Sequence, residues 1–117
     1  MVATPSEITR DELNAKIDGG GQFTLAEALP PRSYEQAHLP GAVNLPLDEL
    51  ETLAPRLMPD KNAEIVTYCS NRECENSHEA AAALTKLGYT NVRRYAAGKQ
   101  DWIAAGLPTE TAARSSE

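Results

Sequence analysis

The sequence has 117 residues, of which 41% are hydrophobic and 24% are charged, and its formal net charge at pH 7 is −6. This length and composition predict a single domain over 1–117, with a core at about 7–108 and a polar tail at 109–117. The negative charge argues against a nucleic-acid partner, because phosphate binding needs clustered Lys and Arg. No apolar stretch approaches the roughly 20 residues of a membrane-spanning helix. Residues 1–5 lack the apolar core of a signal peptide, so we expect a cytoplasmic protein without a membrane partner.

The pattern of apolar residues predicts strands that alternate with helices. Apolar and β-branched runs indicate strands, apolar residues at helical spacing indicate helices, and Gly and Pro mark the ends. The first predicted elements are a strand beginning at Ile8, a helix opened by a capping-box pattern at 9–12 and ended by 18–21, a strand at 22–28, and a helix opened by a second capping-box pattern at 33–36. They are followed by a strand at 42–44, a helix at 47–57 bent at Pro55, a strand at 65–69, a helix at 77–87, a strand at 92–95 and a helix at 98–105.

This alternation predicts an α/β fold, an open parallel sheet with helices on both faces. Such sheets bind ligands beyond the carboxyl ends of their strands, and Cys69 stands at one of those ends, before a polar loop that opens a helix. Backbone N–H groups and the helix dipole stabilise anions at such a place. We therefore expect Cys69 to be a reactive thiol, with its pKa below the ordinary value of about 8.5, rather than a buried small apolar residue.

Four stretches of the sequence resemble the rhodanese family. Residues 33–46 are similar to the family segment E-Y-x-x-G-H-I-P-G-A-x-N-I-P, and 67–69 are similar to the strand that delivers the family's nucleophilic cysteine. Residues 81–92 are similar to A-x-x-L-x-x-x-G-Y-x-x-V, and 98–108 to G-x-x-x-W-x-x-A-G-x-P. The resemblance covers about 7–108 and implies a five-stranded parallel sheet and sulfur transfer through a cysteine persulfide.

The sequence departs from the family pattern at three places. Glu27 and Leu29 stand where the family often has Asp-x-Arg, so either a structural ion pair made by that Arg or a cationic site near the mouth is expected to be lost. The loop after Cys69 is longer by about two residues, and it carries two glutamates. Ala97 replaces the first glycine of a Gly-Gly pair.

The resemblance implies that Cys69 is the catalytic nucleophile of a thiosulfate sulfurtransferase. Its thiolate attacks the outer sulfur of a donor such as thiosulfate, and a thiol, cyanide or a sulfur-accepting protein then removes that sulfur. Arg72 is either the cation that meets an anionic donor or a solvated loop residue. Glu73 and Glu75 would repel the donor and lower activity on thiosulfate if they point at the pocket, and would not matter if they face solvent or are paired. The substrate-binding candidates are Ser70, Asn71, Arg72, Glu73, Cys74, Glu75, Asn76 and Ser77.

Cys74 has three interpretations. It is a candidate resolving thiol that attacks a persulfide or sulfenate on Cys69 to give a disulfide. Alternatively, it packs under the loop as a small apolar residue, or it is itself the nucleophile. Cys69, Cys74 and His78 lack a fourth ligand, and no cofactor motif is present, so we expect neither a metal site nor a cofactor.

Other charged and polar residues have structural interpretations. His38 is expected to bond to the backbone, and Arg93, Arg94 and Lys99 are interpreted as ordinary surface charges. Besides the enzyme, the alternatives are a non-catalytic rhodanese-like sulfur carrier or binding module and a redox dithiol. Phosphatase or arsenate reductase chemistry would need a Cys-x5-Arg loop, and Glu75 stands at the Arg position.

Overall fold

The computed structural model describes residues 6–20 and 22–111. Within these residues the strands are β1 (Ser6–Glu7), β2 (Thr24–Glu27), β3 (Val43–Asn44), β4 (Ile65–Tyr68) and β5 (Val92–Tyr95). The helices are α1 (Arg10–Asp18), α2 (Pro31–Gln36), α3 (Leu50–Leu57), α4 (Asn76–Lys86) and α5 (Gly98–Ala104), and a 3-10 helix (Leu47–Glu49) precedes α3.

The five strands of the described residues form one parallel sheet in the order β1-β5-β4-β2-β3. The predicted α/β fold with a five-stranded parallel sheet is confirmed. In the register of the three inner strands, Tyr68 is aligned with Glu27 on one side and with Tyr95 on the other. The loops that follow these strands therefore leave from the same edge of the sheet.

Helices cover both faces of the sheet, because successive side chains of a strand point to opposite sides. Ile65 packs on one face with Leu50 of α3 and Leu84 of α4. Val66 packs on the other face, in a cluster that includes Trp102 of α5. Each large apolar side chain buried in this way contributes about 1.5–3 kcal/mol to folding.

The predicted elements are present, but several of their ends differ. The first capping box is confirmed, since the Thr9 side chain accepts from the Glu12 N–H and the Glu12 carboxylate accepts from the Thr9 N–H. The second capping box is wrong: α2 begins two residues earlier, after Pro30, because proline has the right backbone angle for a first helical turn. The predicted helix at 47–57 is divided into a 3-10 helix and α3, and Pro55 lies within α3.

Smaller differences from the predicted bounds occur in the first two strands and in the C-terminal segment. The first strand ends before Ile8, the second spans 24–27 rather than 22–28, and Gly21 lies outside the described residues. Glu110, which the sequence assigns to the polar tail, pairs its backbone with that of His38 through hydrogen bonds of 2.9 and 2.8 Å. Residues 112–117 of that tail lie outside the described residues. None of the helices in the described part of the chain has the length and apolar character needed to cross a membrane.

A candidate active site around Cys69

Cys69 lies directly after β4, at the carboxyl edge of the sheet, and is only 1% exposed. Its Sγ accepts a hydrogen bond from the backbone N–H of Ser77, in the first turn of α4, at 3.4 Å. Its thiol donates to the carbonyl oxygen of Cys74 at 3.3 Å. The sulfur is therefore held between the start of a helix and the loop that leads into it.

The pKa of Cys69 is shifted upward, whereas the sequence predicts that it is lowered. Burial raises the pKa of the Cys69 thiol, the hydrogen bond to Cys74 adds to the rise, and hydrogen bonds from Ser77 oppose it. Among the described residues, the Ser77 N–H is the one backbone donor that reaches the sulfur, while the loop presents a carbonyl oxygen to it. The predicted lowering of this pKa is therefore wrong for the resting loop.

Cys74 is the more acidic of the two thiols. Burial acts to raise its pKa, but hydrogen bonds from Cys69 and from the backbone N–H groups of Ser70 and Asn76 outweigh burial and lower it below its ordinary value. Both cysteines are free, and Cys74 is only partly buried. The loop thus contains one buried, protonated thiol and one more accessible, more acidic thiol.

The side chain of Asn71 forms hydrogen bonds within the loop. Its Oδ1 accepts hydrogen bonds from the backbone N–H groups of Glu73 and Cys74, both at 3.1 Å. The Cys74 N–H also donates to the Asn71 carbonyl at 3.1 Å, which closes a turn. This turn brings Cys74 back over Cys69.

The start of α5 holds the loop from the other side. The N–H groups of Lys99 and Gln100 donate to the carbonyl oxygens of Cys69 and Ser70, each at 2.8 Å. Gly98 has a φ of +79°, and a Cβ atom there would lie 2.8 Å from both the Cys69 oxygen and the Asn71 nitrogen. Glycine is therefore required at this position for both its backbone angle and the close approach, whereas Ala97 before it has an ordinary helical conformation.

The first turn of α4 is fastened by side chains that the sequence assigned to substrate. Asn76 Nδ2 donates to the carbonyl oxygen of Ala28 at 2.9 Å. Ser77 is buried, its carbonyl oxygen accepts from the Thr67 hydroxyl at 3.0 Å, and its Oγ accepts from Arg94 Nε at 2.9 Å. The interpretation of Arg94 as an ordinary surface charge is therefore wrong. The sequence could have indicated this, because Arg94 stands two residues after the buried Val92 on β5 and so points to the same face of the sheet.

The remaining charged residues of the loop face solvent. Arg72, Glu73 and Glu75 are exposed, and none of the ion pairs among the described residues includes them. Arg72 lines a surface pocket of about 320 Å³ together with Arg10, while Cys69 does not line it. The eight predicted binding residues therefore lie in the loop and the first turn of α4, and several of their side chains are already hydrogen-bonded within the protein.

A buried ion pair beneath the loop was missed by the sequence analysis. Glu27 is 0% exposed, accepts a hydrogen bond from the Tyr68 hydroxyl at 2.6 Å and pairs with Lys99 Nζ at 3.1 Å. The Lys99 side chain is 11% exposed and also donates to the carbonyl oxygens of Ser33 and Ala37, at 3.0 and 2.6 Å. The interpretation of Lys99 as a surface charge is wrong, because Lys99 forms a buried ion pair with Glu27.

The two histidines have different surroundings. His38 Nδ1 lies 2.8 Å from the carbonyl oxygen of Tyr34, and its ring stacks on the Tyr34 ring with centroids 3.8 Å apart, so its predicted bond to the backbone is confirmed. His78 is exposed. Within the residues that the structure describes, no three His, Cys, Asp or Glu side chains are grouped in a way that could hold a metal ion.

Comparison with known proteins agrees with this fold. Residues 9–105 match the family model described as a rhodanese-like domain. The chain is 34% identical over 114 residues to the HTH-type transcriptional regulator Rv0324 of Mycobacterium tuberculosis, which covers 97% of this chain and 49% of the regulator. It is 37% identical over 71 residues to the thiosulfate sulfurtransferase PspE of Escherichia coli, covering 61% of this chain and 65% of PspE.

Solved structures show the same fold. The crystal structure of the BH2092 protein from Bacillus halodurans superposes with a TM-score of 0.84 and 25% identity, covering 91% of this chain and 77% of that protein. The chain spans about half the length of the Mycobacterium tuberculosis relative and about two thirds of PspE. Because the family model matches most of its length, the chain belongs to the family of rhodanese-like domains.

Proposed function

We propose that this protein is a sulfurtransferase that carries sulfane sulfur as a persulfide on Cys69, from a donor such as thiosulfate to a thiol or cyanide. The observation that supports this most directly is the position of the Cys69 sulfur, at the end of the central strand with the Ser77 N–H 3.4 Å away. A donor and a helix N-terminus aimed at one sulfur stabilise negative charge on it and on a sulfur atom added to it. A cytoplasmic location stays a prediction.

The proposed reaction has two half-reactions on the same sulfur. In the first, the Cys69 thiolate attacks the outer sulfur of thiosulfate, the S–S bond of thiosulfate breaks, and sulfite leaves with the electron pair. In the second, an acceptor thiolate or cyanide attacks the outer persulfide sulfur and releases the Cys69 thiolate. Because sulfur leaves the protein only after the first product has gone, the kinetics are expected to be ping-pong.

The loop must rearrange for the first half-reaction. The Cys74 carbonyl oxygen accepts a hydrogen bond from the Cys69 thiol in the resting loop. Once Cys69 is a thiolate, the lone pair of that oxygen repels it. Turning that carbonyl away frees the Cys69 sulfur and exposes it to a donor. Arg72, which is exposed and unpaired among the described residues, then supplies the positive charge that an anionic donor meets.

The test is sulfur uptake and transfer by variants of the two cysteines. With thiosulfate, the parent protein should release sulfite and gain the mass of one sulfur atom, and cyanide should remove that atom as thiocyanate. Cys69→Ser should abolish both steps, while Cys74→Ser should still take up sulfur. Retained uptake in Cys69→Ser together with its loss in Cys74→Ser would show that Cys74 is the nucleophile.

A sulfur carrier or binding module is the second candidate function. It is favoured by the burial of Cys69 and by two exposed, unpaired acids, Glu73 and Glu75, which repel a small dianion. The M. tuberculosis relative, by its name a transcriptional regulator, also supports a role beyond catalysis for a protein that contains such a domain. A carrier would bind one sulfur per chain from a persulfide-bearing protein but would not turn over thiosulfate and cyanide.

A further inference from the structure

We propose that Cys74 resolves the Cys69 persulfide when no acceptor is bound, releasing hydrosulfide and leaving a Cys69–Cys74 disulfide. The inference rests on the proposed persulfide on Cys69. It gives the protein a second activity, the reduction of sulfane sulfur to sulfide, which stops after one turnover until a thiol reductant reopens the disulfide.

The first support is the contact between the two residues. The Cys69 sulfur lies 3.3 Å from the carbonyl oxygen of Cys74, and the turn closed by the Cys74 N–H and Asn71 folds the loop back over it. Each thiol also shifts the pKa of the other, in opposite directions, which is expected of neighbouring side chains. The reaction requires a change in the Cys74 side-chain rotamer and a movement of the loop that bring the two sulfurs into contact.

The second support is the difference in access. Cys69 is 1% exposed, so an external thiol has to displace the loop before it reaches a persulfide there. Cys74 belongs to that loop and needs no such entry. A nucleophile tethered five residues away acts at an effective concentration of millimolar or more, which few external thiols match.

The third support is the state of the Cys74 thiol. Its hydrogen bonds lower its pKa, so more of it is thiolate at neutral pH than of an ordinary cysteine. A movement of the loop between the cysteines does not require an ion pair of Arg72 or Glu73 to break. The side chains of Arg72 and Glu73, which lie between them, make no ion pair among the described residues.

The reaction balances without any further reagent. The Cys74 thiolate attacks the Sγ atom of the Cys69 persulfide, a bond forms between the two cysteine sulfurs, and the S–S bond of the persulfide breaks. The outer sulfur leaves as hydrosulfide with the electron pair of the broken bond. The two cysteines are oxidised by two electrons, and the sulfane sulfur, which came from the donor, is reduced by two electrons.

The experiment loads the protein with sulfur in the absence of acceptor and follows its intact mass and the sulfide released. Inorganic polysulfide is the donor in one arm and thiosulfate in the other, with a sample without donor as the control for oxidation by air. The parent protein should first gain one sulfur atom and then show the loss of two hydrogen atoms, with one sulfide released per chain. Cys74→Ser and Cys74→Ala should keep the added sulfur and release sulfide at least about tenfold more slowly, as expected when a tethered nucleophile is removed.

Trypsin locates the products, because it cuts after Arg72 and separates the two cysteines into the peptides 62–72 and 73–86. In the resolved parent protein the two peptides should stay joined until a reductant is added. Sulfide release from Cys74→Ser at the parent rate, or a persistent parent persulfide without joined peptides, would overturn the resolving role of Cys74 and leave the proposed function intact. A Cys74→Ala protein that never carries sulfur on 62–72 would overturn the proposed function itself.

Discussion

At the scale of single residues, burial and hydrogen bonds separate the acidities of the two cysteines. Both lie on the loop that opens α4, and the sequence predicts an activated thiol at Cys69 while leaving Cys74 open as a resolving thiol, a packed small residue or the nucleophile. The Cys74 carbonyl oxygen accepts from Cys69 and stabilises its protonated form, while Cys74 itself receives hydrogen bonds. The resting protein therefore keeps its proposed nucleophile protonated until the loop moves.

The pH dependence of alkylation tests this difference. With iodoacetamide, Cys74 should react at a lower pH than an ordinary thiol, and Cys69 should react only above the ordinary range near pH 8.5, because burial and its hydrogen bond raise its pKa. The two tryptic peptides report each site separately. In urea the two profiles should converge, and faster alkylation of Cys69 in the folded protein would contradict the geometry described above.

The raised pKa of Cys69 also makes the stability of the folded protein depend on pH. A thiol whose pKa is raised on folding favours the protonated folded state, so the contribution of Cys69 is present below its unfolded pKa. It is lost as the pH rises through the raised pKa of the folded protein.

At the scale of elements, the start of α5 is as important to the site as β4 and α4. Two of its N–H groups hold the carbonyl oxygens of Cys69 and Ser70. Gly98 permits this contact because a side chain would overlap the loop backbone. The position of the proposed nucleophile thus depends on an element nearly 30 residues further along the chain.

Gly98→Ala and Gly106→Ala form a matched pair for this contact. Both glycines have a positive φ, +79° and +78°, but a Cβ atom at Gly106 would meet nothing within 4 Å. Both substitutions should cost the backbone strain of about 1–2 kcal/mol, and Gly98→Ala should cost about 1–3 kcal/mol more. Urea unfolding measures the difference in stability. The rate of sulfur transfer should fall by more in Gly98→Ala than in Gly106→Ala. Equal losses in both variants would mean that the loop is not held by this approach.

Sequence patterns predict the elements better than their ends or their long-range contacts. The strand, loop and helix around Cys69 follow from local apolar periodicity, and the capping box at Thr9 follows from local hydrogen bonding. The second predicted capping box failed because Pro30 and Pro31 set the helix start first. Lys99 could not be placed, because the partner that draws it into the interior is 72 residues away in sequence.

At the scale of the whole molecule, the Glu27–Lys99 pair joins separate parts of the chain. It connects the ends of β2 and β4 with α5 and with the backbone of α2 and the residue after it, at Ser33 and Ala37. Burying these charges is costly unless both are paired and hydrogen-bonded, as they are here. The pair therefore sets how the segments beneath the loop fit together.

Lys99→Met should destabilise the protein by about 3–5 kcal/mol, because it leaves the Glu27 carboxylate buried without its cation. The double variant Glu27→Gln with Lys99→Met should recover much of that loss, since no uncompensated charge remains. Lys86→Met, at an exposed position, is the control and should change stability by less than about 0.5 kcal/mol. Denaturant unfolding measures all three, and a Lys99→Met protein as stable as the control would show that the pair contributes little.

The central place of β4 also determines how slowly its backbone exchanges with solvent. The strand is hydrogen-bonded to β5 on one side and β2 on the other, and both faces of the sheet are covered. Its amide protons can meet deuterium only when the whole sheet opens, while those of the loop at 70–75 exchange through local opening. Cys69 thus joins the central strand of the sheet to a surface loop. We expect warming to open the loop before it loosens the strand that positions the sulfur.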